Sequence, residues 1–169
     1  MIEDRIEVNI AGGLDIVFPK MVTVRQQFES PKVDDIAAVI RSEFEKPEIR
    51  SRVKRGQVIA VGCGSRGIAN IGTIAKSVIE GLKALGAQPF IFPCMGSHGA
   101  ATAEGQKQVL EGYGITEAAM GVEIRATMET TIVGHLEDGT PVHMDANAAK
   151  AEAIGCASRS LRSAASVSS

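Results

Sequence analysis

Gln57-Val58-Ile59-Ala60-Val61-Gly62-Cys63-Gly64-Ser65-Arg66-Gly67 is the stretch on which the fold turns. Its first five residues form a continuous apolar run, the pattern of a strand buried on both faces. The glycines that follow punctuate a tight turn over Gly62 to Gly67. A helix is predicted from Ile68 to Leu85, with Ile71, Ile74, Ala75, Val78, Ile79 and Leu82 on its inward face and Gly86 ending it. Phe90-Ile91-Phe92 reads as the next buried strand, so the unit is β-α-β and its two strands should run parallel.

Working outward, Pro93 to Ala101 reads as a loop leading into a helix from about Thr102 to Tyr113, stopped by Gly114. Between Val122 and Met144 the period shortens to strands. A hairpin is centred on Asp138-Gly139, and His135 and His143 flank it as diagonal neighbours on one face. Two solvent-facing strand histidines are the favoured reading there, over a metal pair. Asp145 is placed to cap a short Ala-rich helix. Upstream, short strands are expected in the first thirty residues around a Gly12-Gly13 turn, with Val17, Met21, Val22 and Val24 as their apolar members. A helix should then open with Ser30 as cap and Pro31 at its first position, carrying Val33, Ile36, Ala37, Ile40 and Phe44 on one face. Gly155 to Ser169 is rich in Ser, Ala and Arg and lacks apolar periodicity. Residues 153–169 are therefore expected to be a disordered or non-native tail, and 1–152 an incomplete domain.

The fold class expected is α/β: a Rossmann-like parallel sheet with flanking helices plus a short β-hairpin segment. The chain of 169 residues is 44% hydrophobic and 22% charged, an ordinary globular balance. A net charge of −2, with five Phe, one Tyr and no Trp, offers neither a basic footprint nor stacking platforms, so nucleic acid is not an expected partner. No apolar run approaches the ~20 residues that span a bilayer, and the acidic start, Met1-Ile2-Glu3-Asp4, does not resemble a leader. Cys63, Cys94 and Cys156 are odd in number and lack zinc spacing, which fits small thiols in a reducing compartment. The expected setting is cytoplasmic, the expected partner a small molecule, and self-association into a homo-oligomer is left open.

Gly62-Cys63-Gly64-Ser65-Arg66-Gly67 matches G-x-G-x-x-G between a strand and a helix, the setting of a dinucleotide fingerprint. The acid that a ribose requires at the end of the second strand is missing after Phe92. The turn reads better as a cradle for a phosphate or carboxylate, with Gly64, Ser65, Arg66 and Gly67 as binding residues and Arg66 as the clamp. Its plainest alternative is a tight bend that needs glycines for packing. Ser97 and His98 lie in Gly96-Ser97-His98-Gly99, at the carboxyl end of the next parallel strand. Ligands of open α/β sheets gather there, so His98 should face Arg66. An imidazole gives or takes a proton near neutral pH, which suits His98 to general base or metal-ligand work.

The Gly-Ser-Arg turn, the run Pro93-Cys94-Met95-Gly96-Ser97-His98-Gly99-Ala100-Ala101-Thr102-Ala103-Glu104-Gly105-Gln106, Met128-Glu129, Gly139-Thr140-Pro141-Val142 and Asp145 together resemble the N-terminal domain of the nickel-dependent lactate racemase family. The resemblance runs from about Ile10 to Glu152 and is closest to an uncharacterised branch. It implies an isomerase in which a nickel pincer nucleotide, held on a Lys, takes hydride from the α-carbon of a 2-hydroxy acid while a His takes the hydroxyl proton. His98 corresponds to one catalytic His. Arg66 corresponds to the Arg of an Asp-Asp-x-Thr-Arg-Pro motif, with Ser65 in the Thr place. Gly62 and Cys63 replace the motif's acids, and Gly67 its Pro. The segments carrying the family's cofactor Lys and nickel-binding His have no counterpart here. An N-terminal fragment, inactive alone and binding no pincer nucleotide, is thus implied. A non-catalytic nucleotide- or anion-binding module and an NAD-dependent oxidoreductase are the alternatives.

Overall fold

A computed structural model describes residues 20–25, 27 and 32–157. The chain's contacts divide it between Lys32 and Val33. On the first side, residues 20–25 carry no helix or strand, and Met21, Val22 and Val24 are exposed. The strands expected around Met21 to Val24 are therefore absent. The Gly12-Gly13 turn, Val17, Ser30 and Pro31 lie outside the described residues.

From Val33 onward the fold is mixed α/β. Helix α1 (Ile36–Glu45) is capped by Asp35, whose Oδ1 accepts the Ala38 N–H at 2.8 Å. Asp35, rather than Ser30, holds the cap because it directly precedes Ile36, the first helical residue. Val33 is left exposed ahead of the helix, while Ile36, Ala37, Ile40 and Phe44 are half-buried. After a short α2 (Pro47–Arg50) come β1 (Val58–Cys63), α3 (Ile71–Ala84) and β2 (Gln88–Pro93). Strands β1 and β2 pair in parallel from Val58↔Gln88 to Cys63↔Pro93, the β-α-β unit expected. The α3 face predicted from spacing is the buried one: Ile71, Ala75, Ile79 and Leu82 are buried, and Ile74 and Val78 pack against them. Gly81 lies under the ring of Phe44, which occupies the space a side chain would take, so α1 can press onto α3.

Helix α4 (Ala103–Gly112) starts at a Thr102 cap and is followed by α5 (Glu117–Met120). Residues 123–125 then add a short parallel pairing to β2 through Ile91↔Ile124. Strands β3 (Thr130–His135) and β4 (Pro141–Asp145) form an antiparallel hairpin around Asp138-Gly139, with Gly139 at φ +83°. Asp145 Oδ1 accepts the N–H groups of Asn147 and Ala148 and opens the 3₁₀ turn Ala148–Lys150, where a short Ala-rich helix was expected.

The tail expectation fails at its first residues. Ala153–Ala157 form β5, parallel to β1 from Ile59↔Ala153 to Cys63↔Ala157, and Ala157 is buried. The sheet order is β2-β1-β5, with β1 in the centre. Glu152 aligns the new strand at its base: its Oε2 accepts the Val58 N–H at 2.8 Å, and its own N–H donates to the Val58 carbonyl. Pairing along both sides of β1 outweighs the weak strand propensity of Ala and Gly. Residues 158–169 lie outside the described residues. The larger core forms one cluster with Val61, Cys63, Ile79, Ile91, Leu110 and Ile115 all inaccessible. A smaller one, around Ala60, Phe90, Phe92 and Ala148, includes Met144 at its margin. No described helix is long and apolar enough to cross a membrane.

Candidate functional site

Successive connections leave β1 in opposite directions: the chain passes to β2 on one side and returns to β5 on the other. Such a switch point opens a crevice beyond the carboxyl end of the central strand. The residues that follow Cys63 lie there. Gly64, Ser65 and Arg66, with Ile68 from the same turn and Cys94, Met95 and Gly96 from the loop after β2, enclose a cleft of about 350 Å³. Gly67, Ser97 and His98 belong to the same two loops but are not among its walls.

The two loops are joined by one hydrogen bond. Ser65 Oγ lies 2.6 Å from His98 Nδ1. Arg66 and His98 therefore do share one rim of the sheet, as their positions after parallel strands require. Among the described residues Arg66 enters no ion pair, and the backbone N–H groups of Ser65, Arg66 and Gly67 reach no protein acceptor. A free guanidinium beside uncommitted amides is the equipment of an anion site.

The turn departs from a dinucleotide fingerprint. Gly62 is a residue of β1, buried, and its missing side chain makes room for Phe92 and for Cys94 Sγ, which lies 3.1 Å from where a Cβ would stand. Gly67 has φ +52°, and Asn70 is also left-handed at φ +60°, so α3 starts at Ile71 and not at Ile68. A pyrophosphate on a helix N-terminus needs the last glycine to open the helix. Here three residues, Ile68 to Asn70, intervene.

The His98 loop is fastened from below by α4. Gln106, buried, donates from Nε2 to the Gly96 carbonyl at 2.7 Å. Thr102 Oγ1 accepts the Gly105 N–H and bonds the Gly99 carbonyl, both at 3.0 Å. Tyr113 anchors the other loop, its hydroxyl donating to the Ser65 carbonyl at 2.8 Å. Sequence reasoning overlooked Thr102, Gln106 and Tyr113 as supports. The two available signals were a buried-face Gln in α4 and the single Tyr of the chain.

Cys63 and Cys94 are neighbours at the strand ends, where the Cys94 N–H donates to the Cys63 carbonyl at 2.9 Å. Burial pushes the Cys63 thiol up to about 12, with smaller contributions from Cys94 and Cys156. Burial, then Cys156, pushes Cys94 up to about 11. Cys94 is nevertheless exposed as a residue. Cys94, Met95 and Gly96 also border a second cleft of about 340 Å³ that includes Glu129, His143 and Asp145. His143 Nδ1 lies 3.0 Å from Thr130 Oγ1, and both His135 and His143 are exposed. No three His, Cys, Asp or Glu side chains among the described residues come together as a metal site.

No protein family, curated protein or solved structure matches the chain.

Proposed function

We propose that the cleft beyond β1 binds the carboxylate of a small 2-hydroxy acid and that His98 takes the proton of its hydroxyl, as one part of a racemase-like isomerase. The observation that carries this reading is the 2.6 Å contact of His98 Nδ1 with the Oγ of Ser65, which lines the cleft together with Arg66, a guanidinium in no ion pair among the described residues. With Nδ1 occupied by Ser65, the second ring nitrogen is the one left to meet substrate. Arg66 and the free amides of the turn supply the charge and donors for a carboxylate. The resemblance of Gly96 to Gln106 to the nickel-dependent racemases supports the same assignment, since the supports of His98 fall within that run.

The described residues offer no three-ligand cluster that would hold nickel. The free cysteines suit a cytoplasmic setting. The turn's uncommitted amides also favour a plainer function, anion binding without turnover.

Calorimetric titration with lactate and with inorganic phosphate tests the site. A charge-assisted contact is worth about 1.5–3 kcal/mol, so Arg66→Ala should weaken binding about ten- to a hundred-fold. Equal affinity in wild type and variant would remove the site. Lactate and phosphate bound equally well, with no effect of His98→Gln on lactate, would favour the plain anion module.

A further inference from the structure

We infer that Ser65 is itself a nucleophile, and that the Ser65–His98 pair transfers acyl groups from activated esters. This inference shares the cleft with the preceding proposal but does not rest on a 2-hydroxy acid. Four observations converge on it. Ser65 stands two residues past the end of β1, in a strand–turn–helix connection that lifts it to the sheet's carboxyl rim. Its Oγ is 2.6 Å from His98 Nδ1, a base in hydrogen-bond reach. Its main chain is held by the bond from Tyr113, so the hydroxyl is presented from a fixed position. The next two amides, of Arg66 and Gly67, have no acceptor among the described residues. The amide following a nucleophilic Ser is a usual oxyanion donor.

In the acylation step Ser65 Oγ bonds to the carbonyl carbon of an ester while His98 Nδ1 takes the hydroxyl proton. The tetrahedral oxyanion is received by the free amides and the Arg66 guanidinium. Collapse breaks the bond to the leaving oxygen, which takes the proton from His98, and leaves acyl-Ser65 and an alcohol. Water, deprotonated by the same nitrogen, then releases the acid and restores the hydroxyl. Among the described residues no carboxylate bonds to His98, so the pair lacks the third member of a triad. Loss of that member's function costs on the order of 10⁴ in turnover. Activated esters, whose leaving groups need little help, are therefore the substrate class, and the acyl intermediate should accumulate.

The test is intact-mass analysis and peptide mapping of the full chain treated with a fluorophosphonate, alongside the release of p-nitrophenolate from p-nitrophenyl acetate. A single adduct on Ser65 and a stoichiometric burst are expected. Ser65→Ala should abolish both, and His98→Gln should slow both by at least about a hundredfold, the scale of a general base, with the circular dichroism of each variant unchanged. No adduct, an adduct elsewhere, or labelling of Ser65→Ala at the wild-type rate would overturn the inference. Loss of lactate binding has no bearing on the adduct, so the two proposals fail separately.

Discussion

At Cys63 and Cys94 the fold decides what the residues are able to do. Only a thiolate attacks carbon, and burial raises Cys94 to about 11, so this thiol is protonated at neutral pH although it borders both clefts. Alkylation of Cys94 by iodoacetamide, mapped by mass spectrometry, should be much slower near pH 7.5 than that of a free cysteine, whose thiol titrates at about 8.5. Labelling at the free-cysteine rate would show the thiol to be ionised. The same shifts have a consequence for stability. Both thiols ionise more readily in the unfolded chain, so their contribution is fully present below about pH 8.5 and is lost as pH rises toward the folded values of about 11 and about 12. Urea melts at about pH 8 and about pH 10.5 should therefore differ more for wild type than for Cys63→Ala, which removes the more buried titrating group. An identical pH slope in the two proteins would mean that Cys63 ionises freely in the fold.

Between turn and helix, the Gly99–Gly105 contact shows how an element holds a site. A side chain on Gly105 would run into the Gly99 carbonyl, and one on Gly99, at φ +64°, would meet the backbone of Gly105 and Gln106. Two opposing effects bear on Gly105→Ala. Helix propensity alone favours Ala by about 0.5–1 kcal/mol, whereas forcing atoms into filled space costs typically about 1–3 kcal/mol. The obstacle is backbone, which cannot rotate aside, so the variant should be net destabilised and should loosen the Ser65–His98 pair. Chemical denaturation gives the sign directly, and a more stable variant would disprove the close packing. This element also marks how far the sequence could be read. Helix α3 and its buried face were legible because apolar spacing is local information. Its start was misplaced at Ile68 because that residue packs on the core and continues the apolar period, while the left-handed Asn70 leaves no such mark. The His98 loop and the Arg66 turn could be placed on one rim from strand order. The bonds of Gln106 and Tyr113 could not, since their acceptors are carbonyls 10 and 48 residues away.

For the whole molecule, the strand that sequence reasoning denied has the largest consequence. Ala153-Ile154-Gly155-Cys156-Ala157 contains one β-branched residue, and nothing in its composition distinguishes it from the Ser/Ala stretch that follows. Its conformation is imposed by β1, whose second edge would otherwise be unpaired, and it buries Ala157 in the main core. Because Ser65 and Arg66 hang from the end of β1, the geometry of the cleft depends on that strand being held on both sides. A chain ending at Glu152 should lose the β1–β5 ladder and uncover part of the core around Cys63. That loss should amount to several kcal/mol, against a total of about 5–15 kcal/mol for a domain. The truncated chain is expected to unfold without a sharp transition. Its amides at Ala60 and Val61 should exchange with solvent far faster than in the full chain, and its Ser65 should no longer be labelled by the fluorophosphonate. A truncated chain with an unchanged melting temperature and unchanged protection of β1 would mean that residues from Ala153 onward are a dispensable tail after all, and that β1 and β2 hold the cleft without them.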